Sequence, residues 1–334
     1  MSEDQFGQGQ ILNSEFRIQN YLVSIIIPVY NKAEFIRETL DSALAQTFPH
    51  IELVLVNDGS TDGSFDILQE YKEKFPAKIQ LIDSPNQGVS AATNLGMQAS
   101  NGEYIQFLDA DDLLSPDKIS TQVNLFKGKR KASIATCSYV GFRDSINNYD
   151  RVSYGAFSSF ESGLDLLLQF WNFQEMMAIS SYLTPRELIE KAGPWDESLS
   201  INQDGEFFMR VLLHAKEVIY DPDSLVYYRT PGPSNVSQQK SEQAFHSLLA
   251  SYQSYERTTL AQEDSNRVRI ALKKVYQKFI YDCFPQYPDL IAQAEGLIQN
   301  LGVPQKTYIG GPKFQMLTKY LGFKNALRLK RFLG

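Results

Sequence analysis

Asp109-Ala110-Asp111-Asp112 sets two carboxylates one residue apart, with a third beside them, directly after the apolar run that ends in Phe107-Leu108. Carboxylates crowded against an apolar core repel one another and are costly to desolvate. A hard divalent cation, Mg²⁺ or Mn²⁺, removes that cost, because it takes oxygen ligands and completes its shell with substrate phosphates. The pattern reads as a metal–diphosphate site at a strand end, with Asp109 and Asp111 as the ligands. A solvated Asp-rich turn would look the same in isolation, so the surrounding segments must decide.

Those segments alternate. Leu22–Pro28 is an unbroken apolar run, as expected of a strand buried on both faces of a parallel sheet. Lys32–Gln46 has helical spacing, with Phe35, Ile36, Leu40, Ala43 and Leu44 on one side. Strands are expected at Ile51–Val56, Ile79–Asp83, Tyr104–Leu108 and Ala132–Val140, and helices from Ser64, over Gly88–Ala99 and over Asp117–Phe126. Ser60 or Thr61 is the expected cap of the helix from Ser64. Strands alternating with helices predict an α/β fold with a mostly parallel sheet flanked by helices. Ligands of such sheets sit beyond the carboxyl ends of the strands. The polar clusters Tyr30-Asn31, Asn57-Asp58, Pro85-Asn86 and Asp109–Asp112 all fall there.

Three regions are expected: a flexible leader over 1–20, an α/β domain over 21–235 and a C-terminal α-helical extension over 240–334. The domain divides into two halves, 21–140 and 141–235, the latter with a hairpin or irregular excursion near 141–160. Pro231-Gly232-Pro233-Ser234-Asn235 reads as a mobile loop. At 334 residues, 43% hydrophobic and 21% charged, the chain has an ordinary globular composition. A net charge of −7 argues against a nucleic-acid partner. Two distant cysteines, Cys137 and Cys283, form no disulfide framework and suit a cytoplasmic protein. No apolar run reaches the roughly 18 residues that span a bilayer. From Val303 onward the chain has seven Lys and Arg and no acidic residue, with Met316, Tyr320, Phe323 and Leu327 at helical spacing. Such a helix either lies peripherally on an anionic membrane, here the inner face, or docks its apolar side on the domain. Docking is the preferred reading.

Taken in order, Ser24-Ile-Ile-Ile-Pro28-Val29-Tyr30-Asn31, Val56-Asn57-Asp58-Gly59-Ser60-Thr61-Asp62, Asn86-x-Gly88-x-Ser90-x-Ala92-x-Asn94-x-Gly96 and Asp109-Ala110-Asp111-Asp112 resemble the nucleotide-binding half of family 2 glycosyltransferases. The resemblance covers about residues 22–230 and implies that 21–140 is the nucleotide-binding half and 141–235 the acceptor half. It implies a GT-A-like fold and inverting transfer of a sugar from a nucleoside-diphosphate sugar, most readily a UDP-sugar, in surface glycan or polysaccharide synthesis. It places Pro28, Val29 and Tyr30 along the base and ribose, Asp58 on the base edge, and Asn86, Gly88 and Ala110 around the donor. Asp109 falls near the ribose, and Asp111 on a Mn²⁺ or Mg²⁺ that holds the diphosphate.

Inversion needs a base for the acceptor hydroxyl. By the resemblance this falls in Ile201-Asn202-Gln203-Asp204-Gly205-Glu206, with Asp204 as the base and Glu206 as the alternative. Helix capping is the plainer role for Asp204. Two positions depart from the family pattern: Gln203 stands where an acidic residue is usual, and Thr93 where Arg is frequent. Lys32 or Arg229 is expected to supply the missing positive charge, Arg229 as part of a closing lid. Trp195 and Asp196, with Trp171, are the expected acceptor contacts, because aromatic faces stack on sugars. The acceptor is a glycan, a lipid-linked group or a protein, and the tail leaves homodimerisation open. The competing reading is a non-catalytic nucleotide-sugar binder that kept the fold.

Overall fold

The computed structural model describes residues 21–127, 132–151, 153–230, 232 and 239–333. The leader over 1–20 and most of the loop from Pro231 lie outside the described residues. The chain forms two compact units: one comprises 1–163, 177–197 and 214–230, the other 164–176, 198–213 and 231–334.

In the first unit the apolar runs become strands β1 (Val23–Val29), β2 (Ile51–Asp58), β3 (Ile79–Ser84) and β4 (Tyr104–Phe107). They are separated by helices α1 (Ile36–Leu44), α2 (Ser64–Lys74) and α3 (Val89–Ala99). The strands run parallel in the order β3-β2-β1-β4, closed by the short antiparallel β8 (Thr184–Pro185). Burial on both faces explains the lack of alternation, since Ile25, Ile26 and Ile27 are all fully buried. The strand order reverses direction at β1, so the ends of β1 and β4 flank the crevice where open α/β sheets bind ligands.

The expected single sheet is in fact two. Strand β6 (Ser133–Phe142) leaves the first sheet and pairs in parallel with β9 (Glu217–Arg229). Strands β5 (Leu113–Leu114) and β7 (Tyr149–Arg151) complete a second sheet, in the order β5-β9-β6-β7. The excursion expected near 141–160 is therefore partly a hairpin, β6–β7. Helices α4 (Lys118–Leu125), α5 (Gly163–Phe173), α6 (Arg186–Ala192) and α7 (Gln203–His214) complete the connections.

The second unit is helical. It holds most of α5 and α7, with α8 (Glu242–Gln262), α9 (Asn266–Cys283), α10 (Pro288–Asn300), α11 (Pro312–Leu321) and α12 (Phe323–Leu333). Segments 164–176 and 198–213, grouped by sequence with the acceptor half, thus cluster with the helical region. Its core is aromatic: Trp171 stacks on Tyr255 at 5.3 Å, and Phe279 packs edge-on against Phe245. Among the described residues no helix is long and apolar enough to cross a membrane.

Gly96 shows how closely α3 packs on the sheet. A Cβ there would lie 2.5 Å from Ile26 Cγ2. Gly96→Ala gains about 1 kcal/mol of helix propensity but meets overpacking of about 1–3 kcal/mol. We expect a net loss of roughly 1 kcal/mol in chemical denaturation, and a larger loss for Gly96→Val.

Candidate functional site

The ends of β1, β2, β3 and β4 are tied to one another by side chains. Asn31 donates its N–H to Ser60 Oγ (3.1 Å) and accepts the Thr61 N–H at Oδ1 (2.8 Å). Lys32 N–H donates to Ser64 Oγ (2.8 Å), and Ala33 N–H to Asp62 Oδ2 (3.0 Å). The first two turns are therefore one unit. The oxygen that receives the Ser64 N–H at the start of α2 belongs to Asp62, not to Ser60 or Thr61. Ser60 instead braces the β1 turn.

Asp58 is buried, and each of its carboxylate oxygens accepts a backbone N–H, from Gln87 (2.8 Å) and Gly88 (3.0 Å). It fixes the β3–α3 turn that carries Asn86. Gly59, at φ +67°, lies so close to this turn that a Cβ would sit 2.7 Å from Asn86 N. Only glycine allows that approach. Tyr30 stands half-exposed at the end of β1.

The acidic turn divides its charges. Asp112 points inward, fully buried, where Oδ1 accepts the Arg229 N–H (2.9 Å) and Oδ2 the Ser180 hydroxyl (3.3 Å). Burial, then the nearby Asp109 and Asp111, push its pKa well above the carboxylate range. Asp111 is partly exposed and ion-pairs with the Lys32 ammonium, which crosses from β1 to β4. Asp109 is half-buried, and Ala110 is buried.

Arg229 corrects the sequence reading. It is buried, with its guanidinium 4.5 Å from the Phe35 ring and 4.4 Å from the Phe142 ring. It donates to Asp111 O (3.0 Å), Arg143 O (2.7 Å) and Glu38 Oε2 (2.6 Å). A side chain committed in this way is a bracket beneath the acidic turn, not a lid over phosphates.

Trp195 needs a second correction. It is buried, its ring edge-on to Phe107 at 5.6 Å, while its backbone is held at both ends by Asn94 (2.9 and 3.1 Å). It offers no face to a sugar. Trp171 is likewise core, while Asp196 is exposed. Asn94 and Gly96, both motif residues, serve packing.

Asp204 opens α7. Its side chain reaches solvent, yet the protein packed around it desolvates the carboxyl and raises its pKa, against the opposing helix-start N–H groups of Gly205 and Asp204. Glu206 is buried and held by Arg210 (2.8 Å) and Ser254 (2.8 Å). Gln203 is buried as well.

Sequence reasoning missed a polar brace under the acidic turn. Lys118 is fully buried and donates to Gln106 Oε1, to Gln122 Oε1 (2.8 Å) and to Tyr182 O (3.4 Å). Gln106 in turn donates to Ser180 O (2.9 Å), beside the hydroxyl that holds Asp112. Gln106 in the middle of the apolar run of β4 was the visible signal.

Asp109 and Asp111 suit a divalent cation by donor chemistry: hard oxygens, partly exposed, with an ammonium already on one of them. Among the described residues no cluster of three or more His, Cys, Asp or Glu forms an all-protein cage. A cation on this pair would need a substrate's phosphates to complete its shell.

Residues 24–184 match the family model described as Glycosyl transferase family 2. Through that stretch the chain belongs to glycosyl transferase family 2. An uncharacterized glycosyltransferase of Rickettsia typhi is 36% identical over 209 residues, 62% of this chain and 64% of that protein. Glycosyltransferase GlyA of Streptococcus pneumoniae is 32% identical over 68% of this chain and 33% of its own length. The minor teichoic acid biosynthesis protein GgaB of Bacillus subtilis is 43% identical over 32% of this chain and 12% of its length. The chain thus spans less than two thirds of the length of each of these relatives. Staphylococcus aureus TarS in complex with UDP-GlcNAc superposes with TM-score 0.60 at 16% identity, covering 93% of this chain and 90% of that one. The Pyrobaculum calidifontis mannosyltransferase with GDP-Man and Mn²⁺ gives 0.52 at 17% identity, over 97% and 95%. The fold is therefore of the GT-A type.

Burial lowers the Lys118 pKa from the usual 10.5 to about 8. Between those values the unfolded chain holds a proton that the folded lysine has shed, so this group makes stability rise with pH. From pH 8 to 10 we expect wild type to gain about 1–2 kcal/mol relative to Lys118→Met, read from denaturation midpoints.

Proposed function

We propose that this protein transfers a sugar, with inversion, from a nucleoside-diphosphate sugar to an acceptor hydroxyl, in a reaction that depends on a divalent cation. The observation that carries the reading is the Asp109–Asp111 pair at the switch point of the sheet, with Lys32 reaching Asp111 from the neighbouring strand end. UDP is the favoured nucleotide, supported by the UDP-GlcNAc in the TarS complex. The GgaB match supports a role in surface glycan synthesis. A cytoplasmic setting suits the two buried free thiols.

In this reading Tyr30 lies along the base at the β1 end, and Pro28 and Val29 set its height. Asp58 holds the Asn86–Gly88 turn and offers its remaining lone pairs to the base edge. Asp109 faces the ribose, while Asp111 with Asp109 holds the cation. A Mn²⁺ or Mg²⁺ held by these carboxylates would supply positive charge to the diphosphate leaving group. Lys32, displaced from Asp111, is placed to add positive charge at the same oxygens.

Asp204 takes the proton from the acceptor hydroxyl. Its raised pKa makes it a stronger base than a free carboxylate. Glu206 is the weaker alternative, because Arg210 and Ser254 already occupy it. Asp196, exposed beside the buried Trp195, is the remaining acceptor contact from the sequence.

Slow nucleotide release from a panel of nucleotide sugars with Mn²⁺ or Mg²⁺ tests the reading. Release should stop with chelator and fall about a hundredfold or more in Asp111→Ala. Affinity without any turnover would instead indicate a non-catalytic binder. Asp204→Asn should lose about a hundredfold or more in transfer with donor affinity nearly intact. Equal loss of both would leave Asp204 a helix-start residue. Transfer should also fall as pH drops through the Asp204 pKa, which lies above 3.8, and level off at higher pH.

A further inference from the structure

We propose that α11 and α12 form a face that docks on an anionic membrane surface. Sequence favoured a terminal helix with its apolar side packed on the protein. The structure divides that apolar set. Gly322, at φ +77°, breaks the segment into two helices. Phe314 and Thr318 of α11 face inward and are buried. Met316 and Tyr320, one turn apart, fall on the opposite side of the helix and are 57% and 78% exposed. Lys313 and Lys319 flank them, both exposed.

Helix α12 repeats the arrangement. Ala326 and Leu327 are fully buried. Lys324 and Arg328 are exposed away from these with Phe332, which is 86% exposed, whereas Arg331 reaches back to the Tyr281 and Asp282 carbonyls. Eight large apolar side chains are exposed among the described residues, and four of them, Met316, Tyr320, Leu321 and Phe332, lie in these two helices. A solvated terminal helix would expose polar residues there.

Charge selects the occupant. The segment from Val303 carries seven cations and no acid, while the whole chain carries −7. Lys324 is partly neutralised by Glu295 (2.7 Å), and Lys330 is turned inward onto Tyr281. Among the described residues Lys313, Lys319 and Arg328 pair with no carboxylate, while Arg331 donates to the Tyr281 and Asp282 carbonyls. Apolar anchors interleaved with unpaired cations on one side of a helix match an interfacial segment, whose binding combines apolar insertion with attraction to anionic headgroups. A nucleic acid would use the cations and leave Met316 and Phe332 in water.

Co-sedimentation of the full chain with vesicles tests this. Binding is expected to phosphatidylcholine vesicles containing about 30 mol% phosphatidylglycerol, and about tenfold less to phosphatidylcholine alone. Salt of about 0.5 M should weaken it severalfold. Lys313→Gln/Lys319→Gln/Arg328→Gln and Met316→Ser/Tyr320→Ser/Phe332→Ser should each cut the bound fraction about tenfold, with the melting transition and vesicle-free nucleotide release unchanged. Wild type remaining in the supernatant, or sedimenting equally with both vesicles, overturns the proposal whatever the variants do. So does tighter binding to a dissolved polynucleotide, or a dimer that the variants convert to monomer without any vesicle effect.

Discussion

Three carboxylates within four residues cannot share one environment, and the first unit is organised around keeping them apart. Asp112 is drawn into the core by the Arg229 N–H and the Ser180 hydroxyl. That leaves Asp111 directed at Lys32, with Asp109 beside it. Because Arg229 also donates to the Asp111 carbonyl, the turn is clamped from below at two consecutive residues. The proposed cation site, with only two protein carboxylates, would depend on such preorganisation, since their mutual repulsion would otherwise turn the side chains apart.

The clamp explains why distant pieces of sequence meet here. Arg229 ends β9, Ser180 lies in the turn after α5, and Lys118 starts α4, yet all serve the turn after β4. The two sheets are joined through it: β4 belongs to the first, β5 immediately beyond it to the second. The buried Lys118 adds hydrogen bonds that an apolar residue would lack, at the cost of desolvating an amine. In the helical unit Glu206 has a comparable structural task, tying α7 to α8 through Ser254.

Much of this was legible in the sequence, for identifiable reasons. Apolar runs such as Leu22–Pro28 have one solution, a strand buried on both faces, so β1 to β4 and their polar ends could be located. The second sheet was not legible, because β5 is two residues long and pairs with a strand more than a hundred positions later. Arg229 and Trp195 were misplaced because residue type does not reveal direction: an arginine beside Pro231-Gly232-Pro233 suggested a lid, and a tryptophan beside an acid suggested a sugar platform. In the tail the heptad-like spacing of Met316, Tyr320, Phe323 and Leu327 implied one apolar stripe, but Gly322 interrupts the helix, and Met316 and Tyr320 stay exposed while Leu327 is buried. The family motif was informative about fold, and two of its residues, Asn94 and Gly96, are accounted for by packing.

Calorimetric titration of uridine diphosphate, with and without Mn²⁺, is the most direct test of the central claim. If Asp109 and Asp111 hold a cation that anchors the diphosphate, the metal should tighten nucleotide binding about tenfold or more in wild type, and Asp111→Asn should abolish that gain while the metal-free affinity stays nearly the same. Nucleotide affinity indifferent to Mn²⁺ in wild type, or an Asp111→Asn protein that keeps the full gain, would contradict it.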